Sequence, residues 1–69
     1  MKTSINLYEI PEAMLPLISG GGVKAFLNGI AIVEIFVFRG GQFRVNTVQG
    51  QYRYPMDTDQ EITMVMDGY

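Results

Sequence analysis

The stretch Ile30-Ala31-Ile32-Val33-Glu34-Ile35-Phe36-Val37-Phe38, set between Asn28-Gly29 and Gly40-Gly41, decides how this chain folds. β-Branched and aromatic residues dominate it, as in an extended strand. It is apolar at odd and even positions alike, the pattern of a strand covered on both faces. Asn28-Gly29 is a two-residue hairpin signal, because the favoured turn needs positive φ at both central positions, which Asn and Gly accept. Gly40-Gly41 is a second such signal and Gln49-Gly50 a weaker third. These turns divide the chain into a meander with strands over 23–28, 30–39, 42–48 and 51–56. A last strand is expected over 60–66, where Ile62, Met64 and Met66 alternate with Glu61, Thr63 and Val65.

Upstream of the meander, Ile5 and Leu7 alternate with Asn6 and Tyr8, which predicts a short strand over 3–9. Pro11 suits the first position of a helix and Glu12 its positive end. Met14, Leu15, Leu17 and Ile18 supply an apolar stripe, but Pro16 removes a backbone donor within it, so the helix is short or kinked. Gly20-Gly21-Gly22 ends the helix and is expected to act as a mobile hinge. The fold class is α+β: one domain over 1–69, with a short N-terminal strand and helical segment followed by a curved antiparallel β-meander of four to five strands. A bend in that meander would curl it into a small SH3-like barrel.

Two-residue turns would fix the register, and with it the two faces. Ala25 then faces Ile32, Phe38 faces Phe43, Phe36 faces Val45, Glu34 faces Thr47, and Val45 neighbours Tyr54. One face gathers Val23, Ala25, Leu27, Ile30, Ile32, Phe36, Phe38, Phe43, Val45, Tyr52, Tyr54 and Met56 as the core. The other carries Lys24, Arg44, Asn46, Gln51 and Arg53 together with Phe26, Val33, Ile35, Val37 and Val48. That second face needs a cover from the N-terminal helix, from curling of the sheet, or from a partner.

Composition limits the chemistry. The 69 residues include no Cys and no His, so they offer no disulfide framework, thiolate zinc site or imidazole base. A chain of this mass exposes roughly 11,000 Å² unfolded and roughly 4,300 Å² folded, enough for a thin core. The net charge of −2 disfavours a dedicated nucleic-acid binder, whose affinity comes mostly from neutralising phosphates. Apolar residues reach 48% and charged residues only 17%, a surplus that points to a protein interface or a homo-oligomer. Residues 1–4 carry no apolar run of signal-peptide length, and the longest apolar stretch is too short to cross a bilayer as a helix. A cytoplasmic protein without membrane contact is expected.

Four constellations carry residue types capable of chemistry or binding. Phe38-Arg39, Phe43-Arg44 and Tyr52-Arg53-Tyr54 interleave aromatics with arginines, the residue types that hold single-stranded nucleic acid. Neighbours in a strand point to opposite faces, however, so the rings and cations should separate. Gly20-Gly21-Gly22-Val23-Lys24 lacks the spacing and hydroxyl residue of a phosphate loop and reads as a connector. Asp57-Thr58-Asp59-Gln60-Glu61 lacks the glycine and distal glutamate of a calcium loop and reads as an acidic turn able to meet a basic partner. Glu34, alone among apolar neighbours, is expected to pair with Lys24, Arg44 or a partner chain. None of these forms a catalytic, cofactor or metal set.

Val23-Lys24-Ala25-Phe26-Leu27-Asn28-Gly29-Ile30 resembles the first strand and turn of the Sm-like fold of the bacterial Hfq RNA chaperones. The resemblance implies a ring oligomer that binds RNA. The chain departs from that pattern near Glu34, where the family's mid-strand glycine is absent, and at Gly40-Gly41, where an acidic residue is expected. Tyr54-Pro55-Met56 stands roughly in place of a Tyr/Phe-Lys-His segment. No RNA-binding residue is carried over.

The reading that follows is a small non-catalytic interaction protein that binds and blocks or adapts a larger protein, such as a phage-type inhibitor of a nucleic-acid enzyme. Its expected contact residues are Tyr52, Arg53, Tyr54, Asp57, Asp59 and Glu61. The alternatives are a nucleic-acid-binding module using Arg39, Arg44, Arg53 and exposed tyrosines, and a self-assembling structural protein.

Overall fold

Asn28 and Gly29 take φ values of 50° and 83°, the left-handed pair that a tight hairpin requires, and between them they set the meander. The computed structural model describes residues 2–38 and 40–65. Its strands are β1 (Lys2–Asn6), β2 (Lys24–Leu27), β3 (Ile30–Phe38), β4 (Gln42–Thr47), β5 (Gly50–Pro55) and β6 (Glu61–Val65). They form one antiparallel sheet in the order β1-β6-β2-β3-β4-β5, curled into a half-barrel. The α+β fold expected from the sequence is therefore present, with β1 and β5 as the two edges of the described sheet. The radius of gyration of 11.1 Å matches the roughly 11 Å of a packed chain of this length.

The N-terminal strand is shorter than the 3–9 expected. After Asn6 the chain turns into a 3₁₀ segment, Leu7–Glu9, because the Asn6 side chain accepts a hydrogen bond from the Tyr8 N–H and caps the turn. A second 3₁₀ turn, Glu12–Met14, runs into helix α1 (Leu15–Ser19). Pro16 lies in the first turn of α1, where its missing N–H costs no helical bond, so the helix is short, as expected. The glycines that follow do not make the free hinge expected of them. Gly20 N–H donates to Pro16 O, and Gly22 and Val23 N–H both donate to Leu17 O, closing the helix end onto itself.

The main departure from the expected register lies in the β3–β4 hairpin. Phe38 pairs with Gln42, so three residues rather than two separate the paired strands, with Gly41 at φ 93°. A three-residue connection moves the ladder by one residue, and a one-residue shift turns each side chain to the other face. Ile35 thus pairs with Val45 and Val37 with Phe43, on the core side. Phe36 pairs with Arg44 and Phe38 with Gln42, on the outer side. A bulge between Ile32 and Glu34 absorbs the slip, so Ile32 stays with the core set of β2. The expected core places for Phe36 and Phe38, and the expected outer places for Ile35 and Val37, are thereby exchanged.

The β4–β5 turn also differs, without changing the faces. Thr47 pairs with Gly50, so the turn is Val48-Gln49 rather than Gln49-Gly50, and Val45 faces Tyr52 rather than Tyr54. That is a shift of two residues, which preserves parity. Thr47 holds the turn: its hydroxyl donates to Gly50 O at 2.9 Å and accepts from Gln49 N–H at 3.1 Å.

The core comprises Leu7, Ile18, Val23, Ala25, Leu27, Ile32, Ile35, Phe43, Val45, Ile62 and Met64, with Ile5, Ile10, Met14, Leu15 and Tyr54 packed against it. The N-terminal segment and α1 therefore fill the concave side of the sheet. The total accessible surface of 4559 Å² lies close to the value expected for the mass. Ile62 and Met64 alternate inward on β6 as expected, while Met66 lies outside the described residues.

Candidate functional site

Two surfaces remain uncovered, and register decides the composition of both. The first is the mouth of the half-barrel, where the N-terminal segment fails to cover the far end of β3, β4 and β5. A cavity of about 110 Å³ opens there, lined by Leu7, Tyr8, Ile10, Glu12, Leu15, Val37, Phe43 and Met56. Val37 points to the core side yet stays 42% exposed, and Tyr8 and Met56 are also exposed at the rim. Tyr52 and Tyr54 stand beside them on β5, on the same side of the sheet as their partners Val45 and Phe43. Burial raises the Tyr54 phenol above the ordinary 10.0, and the neighbouring Tyr52 charge adds to the effect. Beyond β5 lies a free edge whose backbone groups are unpaired in the described sheet.

The second surface is the outer face of the sheet. On β3–β5 it presents Phe36, Phe38, Gln42, Arg44, Asn46, Gln51 and Arg53. The Arg44 guanidinium lies over the Phe38 ring at 4.7 Å from its centroid, and the Phe36 and Phe38 rings sit 6.4 Å apart. Arg44 pairs across the ladder with Arg53, and neither forms an ion pair among the described residues. Glu34 receives a hydrogen bond from Asn46 Nδ2 at 3.2 Å rather than pairing with Lys24 or Arg44, because the slipped register sets Asn46 opposite it.

The six expected contact residues do not converge. Tyr52 and Tyr54 share the concave side with the mouth without lining its cleft, whereas Arg53, between them, projects to the outer face. Asp57 follows β5 in a turn, while Asp59 and Glu61 line a polar depression with Ser4, Asn28, Gln60 and Thr63. Arg39 lies outside the described residues. Sequence reasoning missed Val37 at the mouth and Phe36 and Phe38 on the outer face. The signal available was the third glycine-loop residue, since Arg39-Gly40-Gly41 admits a three-residue hairpin with glycine at its last position.

A cavity of about 390 Å³ between α1, β2 and β3 is lined mostly by apolar groups such as Ile18, Val23, Ala25 and Ile32. It holds no convergent polar set. Among the described residues there is no group of three or more acidic, His or Cys side chains placed to hold a metal ion. No described helix is long and apolar enough to cross a membrane. The chain matches no protein-family model, no curated protein and no solved structure.

Proposed function

We propose that this is a small non-catalytic interaction protein that docks on a larger protein through the mouth of its half-barrel and acts by occupying that partner's surface. The observation that carries this reading is the apolar cleft at the mouth, with Tyr8, Val37 and Met56 exposed in its lining, Tyr54 paired with its lining residue Phe43, and Tyr52 on the same side of edge strand β5. Tyrosines bury a large apolar area at low entropic cost and keep a polar tip, which makes them effective anchors at protein interfaces. A strand from the partner laid along β5 would supply the missing backbone hydrogen bonds, while one apolar side chain fills the cleft. The finer reading, a phage-type inhibitor or adaptor of a nucleic-acid enzyme acting in the cytoplasm, rests on the small size and mild acidity alone.

The test compares tagged wild-type protein with a Val37→Asp variant in capture from the native host, each checked for folding by thermal unfolding. Val37 is already partly exposed, so the charge blocks the cleft without emptying the core. A stoichiometric protein partner held by the wild type and lost by the variant supports the reading. Capture of nothing beyond the protein itself, or equal capture by both, counts against it.

A further inference from the structure

The net charge of −2 conceals a segregation that appears only when the ladder pairs are laid out by face. Lys2 and Lys24 both lie opposite Val65 and so share its side of the sheet, away from Ile62 and Met64. Arg44 and Arg53 pair with each other on that same outer side. Every described Lys and Arg is therefore on the outer face. Of the described acids, Glu34 and Glu61 share it. Glu34 is occupied by Asn46, and Glu61 stands at the far end of β6, opposite Asn6. Glu9 and Glu12 lie in the 3₁₀ segments, and Asp57 and Asp59 in the connection to β6.

The phenylalanines are sorted in the same way. Phe26 on β2 and Phe36 and Phe38 on β3 project outward from the two middle strands of the order β1-β6-β2-β3-β4-β5, and only Phe43 is in the core. Lys2 lies on one side of these strands and Arg44 and Arg53 on the other, with Lys24 beside Phe26 on β2. Like charges directly opposite each other, as Arg44 and Arg53 are, destabilise a ladder unless an anion comes between or above them. Arg44 Nε–H is buried without an acceptor, and Asn46 Oδ1, two residues along β4 on the same face, is buried without a donor.

We infer that the outer face binds single-stranded nucleic acid, with unpaired bases stacked on Phe36 and Phe38 and the phosphates met by Arg44 and Arg53 and, across the sheet, by Lys24 and Lys2. The rings, at 39% and 40% exposure, offer π-faces to any base free of a duplex partner, and the Arg44 guanidinium over one face of Phe38 extends that stack. The cations supply charge complementarity to a repeating anion without reading sequence. This face is separate from the mouth, so the protein would hold nucleic acid on one side and a protein on the other.

The test measures binding of fluorescent single-stranded DNA and RNA oligonucleotides, a duplex of the same sequence, and vesicles of phosphatidylserine and phosphatidylcholine across a salt series. Single strands should bind in preference to duplex, with affinity falling as salt rises. Phe36→Ala and Phe38→Ala should each weaken binding about tenfold or more. Arg53→Gln should reduce the salt slope by about 0.7. Val37→Asp, at the mouth, should leave oligonucleotide binding unchanged, which separates failure here from failure of the protein-docking reading. Thermal unfolding of each variant confirms that it is folded. Absence of binding at low salt, equal binding to duplex, binding to vesicles alone, or indifference of a folded Phe36→Ala/Phe38→Ala double variant would each overturn the inference.

Discussion

Phe36 stands directly across the β3–β4 ladder from Arg44, so ring and guanidinium share the solvent side while their sequence neighbours Ile35 and Val45 meet in the core. The separation of aromatics from arginines that strand alternation implies is undone by one loop residue.

That pairing predicts opposite responses from adjacent residues. Ile35→Ala should cost about 2–5 kcal/mol by emptying a buried site, whereas Phe36→Ala should cost about 1 kcal/mol or less. Chemical denaturation of the two variants measures both. A larger loss at Phe36 than at Ile35 would show that the ladder is in the other register.

Two adjacent glycines in the β3–β4 loop should behave differently. Gly41 has φ 93° and its N–H donates to Phe38 O, so Gly41→Ala should cost about 1–2 kcal/mol through backbone strain alone. An added Cβ there meets only Met56 Cγ, at ordinary contact distance. Gly40 has neither a positive φ nor a neighbour in the way, so Gly40→Ala should be close to neutral. Paired thermal unfolding curves decide this.

Thr47 is buried, and its hydroxyl bonds two backbone groups of the β4–β5 turn. Thr47→Val keeps the shape but leaves Gln49 N–H and Gly50 O without that partner, for an expected loss of about 1–3 kcal/mol. Thr47→Ser retains the hydroxyl and should recover most of the difference. Equal stability of the Val and Ser variants would assign the role of Thr47 to packing.

Tyr54 should ionise above its ordinary 10.0, mainly because burial disfavours the phenolate and secondarily because of the Tyr52 charge. A folded-state pKa raised in this way leaves stability unaffected below the unfolded value and removes it as pH climbs through the folded one. Stability should therefore fall above about pH 10, and Tyr54→Phe should remove that part of the fall. Tyrosinate absorbance across an alkaline titration, compared between wild type and Tyr54→Phe, measures the shift. Tyr52→Phe should move it back toward the ordinary value.

The contact set expected from sequence fared unevenly for the same geometrical reason. Tyr52 and Tyr54 were legible as a pair because alternate residues of a strand share a side, and they do stand together on β5. Arg53 is adjacent to both in sequence, which in a strand means the opposite side. Asp57, Asp59 and Glu61 are close in sequence, but the connection carries them from the end of β5 to the start of β6, where Leu7 N–H donates to Gln60 O.

By itself, the sequence determined the turn at Asn28-Gly29, the short helix held back by Pro16, the inward alternation of Ile62 and Met64, and hence an antiparallel meander beside a small helical segment. It could not determine which side of Ile30–Phe38 faces the core, because that strand is apolar on both sides and its pattern fits two registers equally well. Tertiary structure made the choice. Strand β4 has one apolar side only, carrying Phe43 and Val45, the N-terminal segment covers that side, and the three-residue separation of Phe38 from Gln42 with the bulge between Ile32 and Glu34 adjusts β3 to match. The rings left over went outward, to the face that carries the cations.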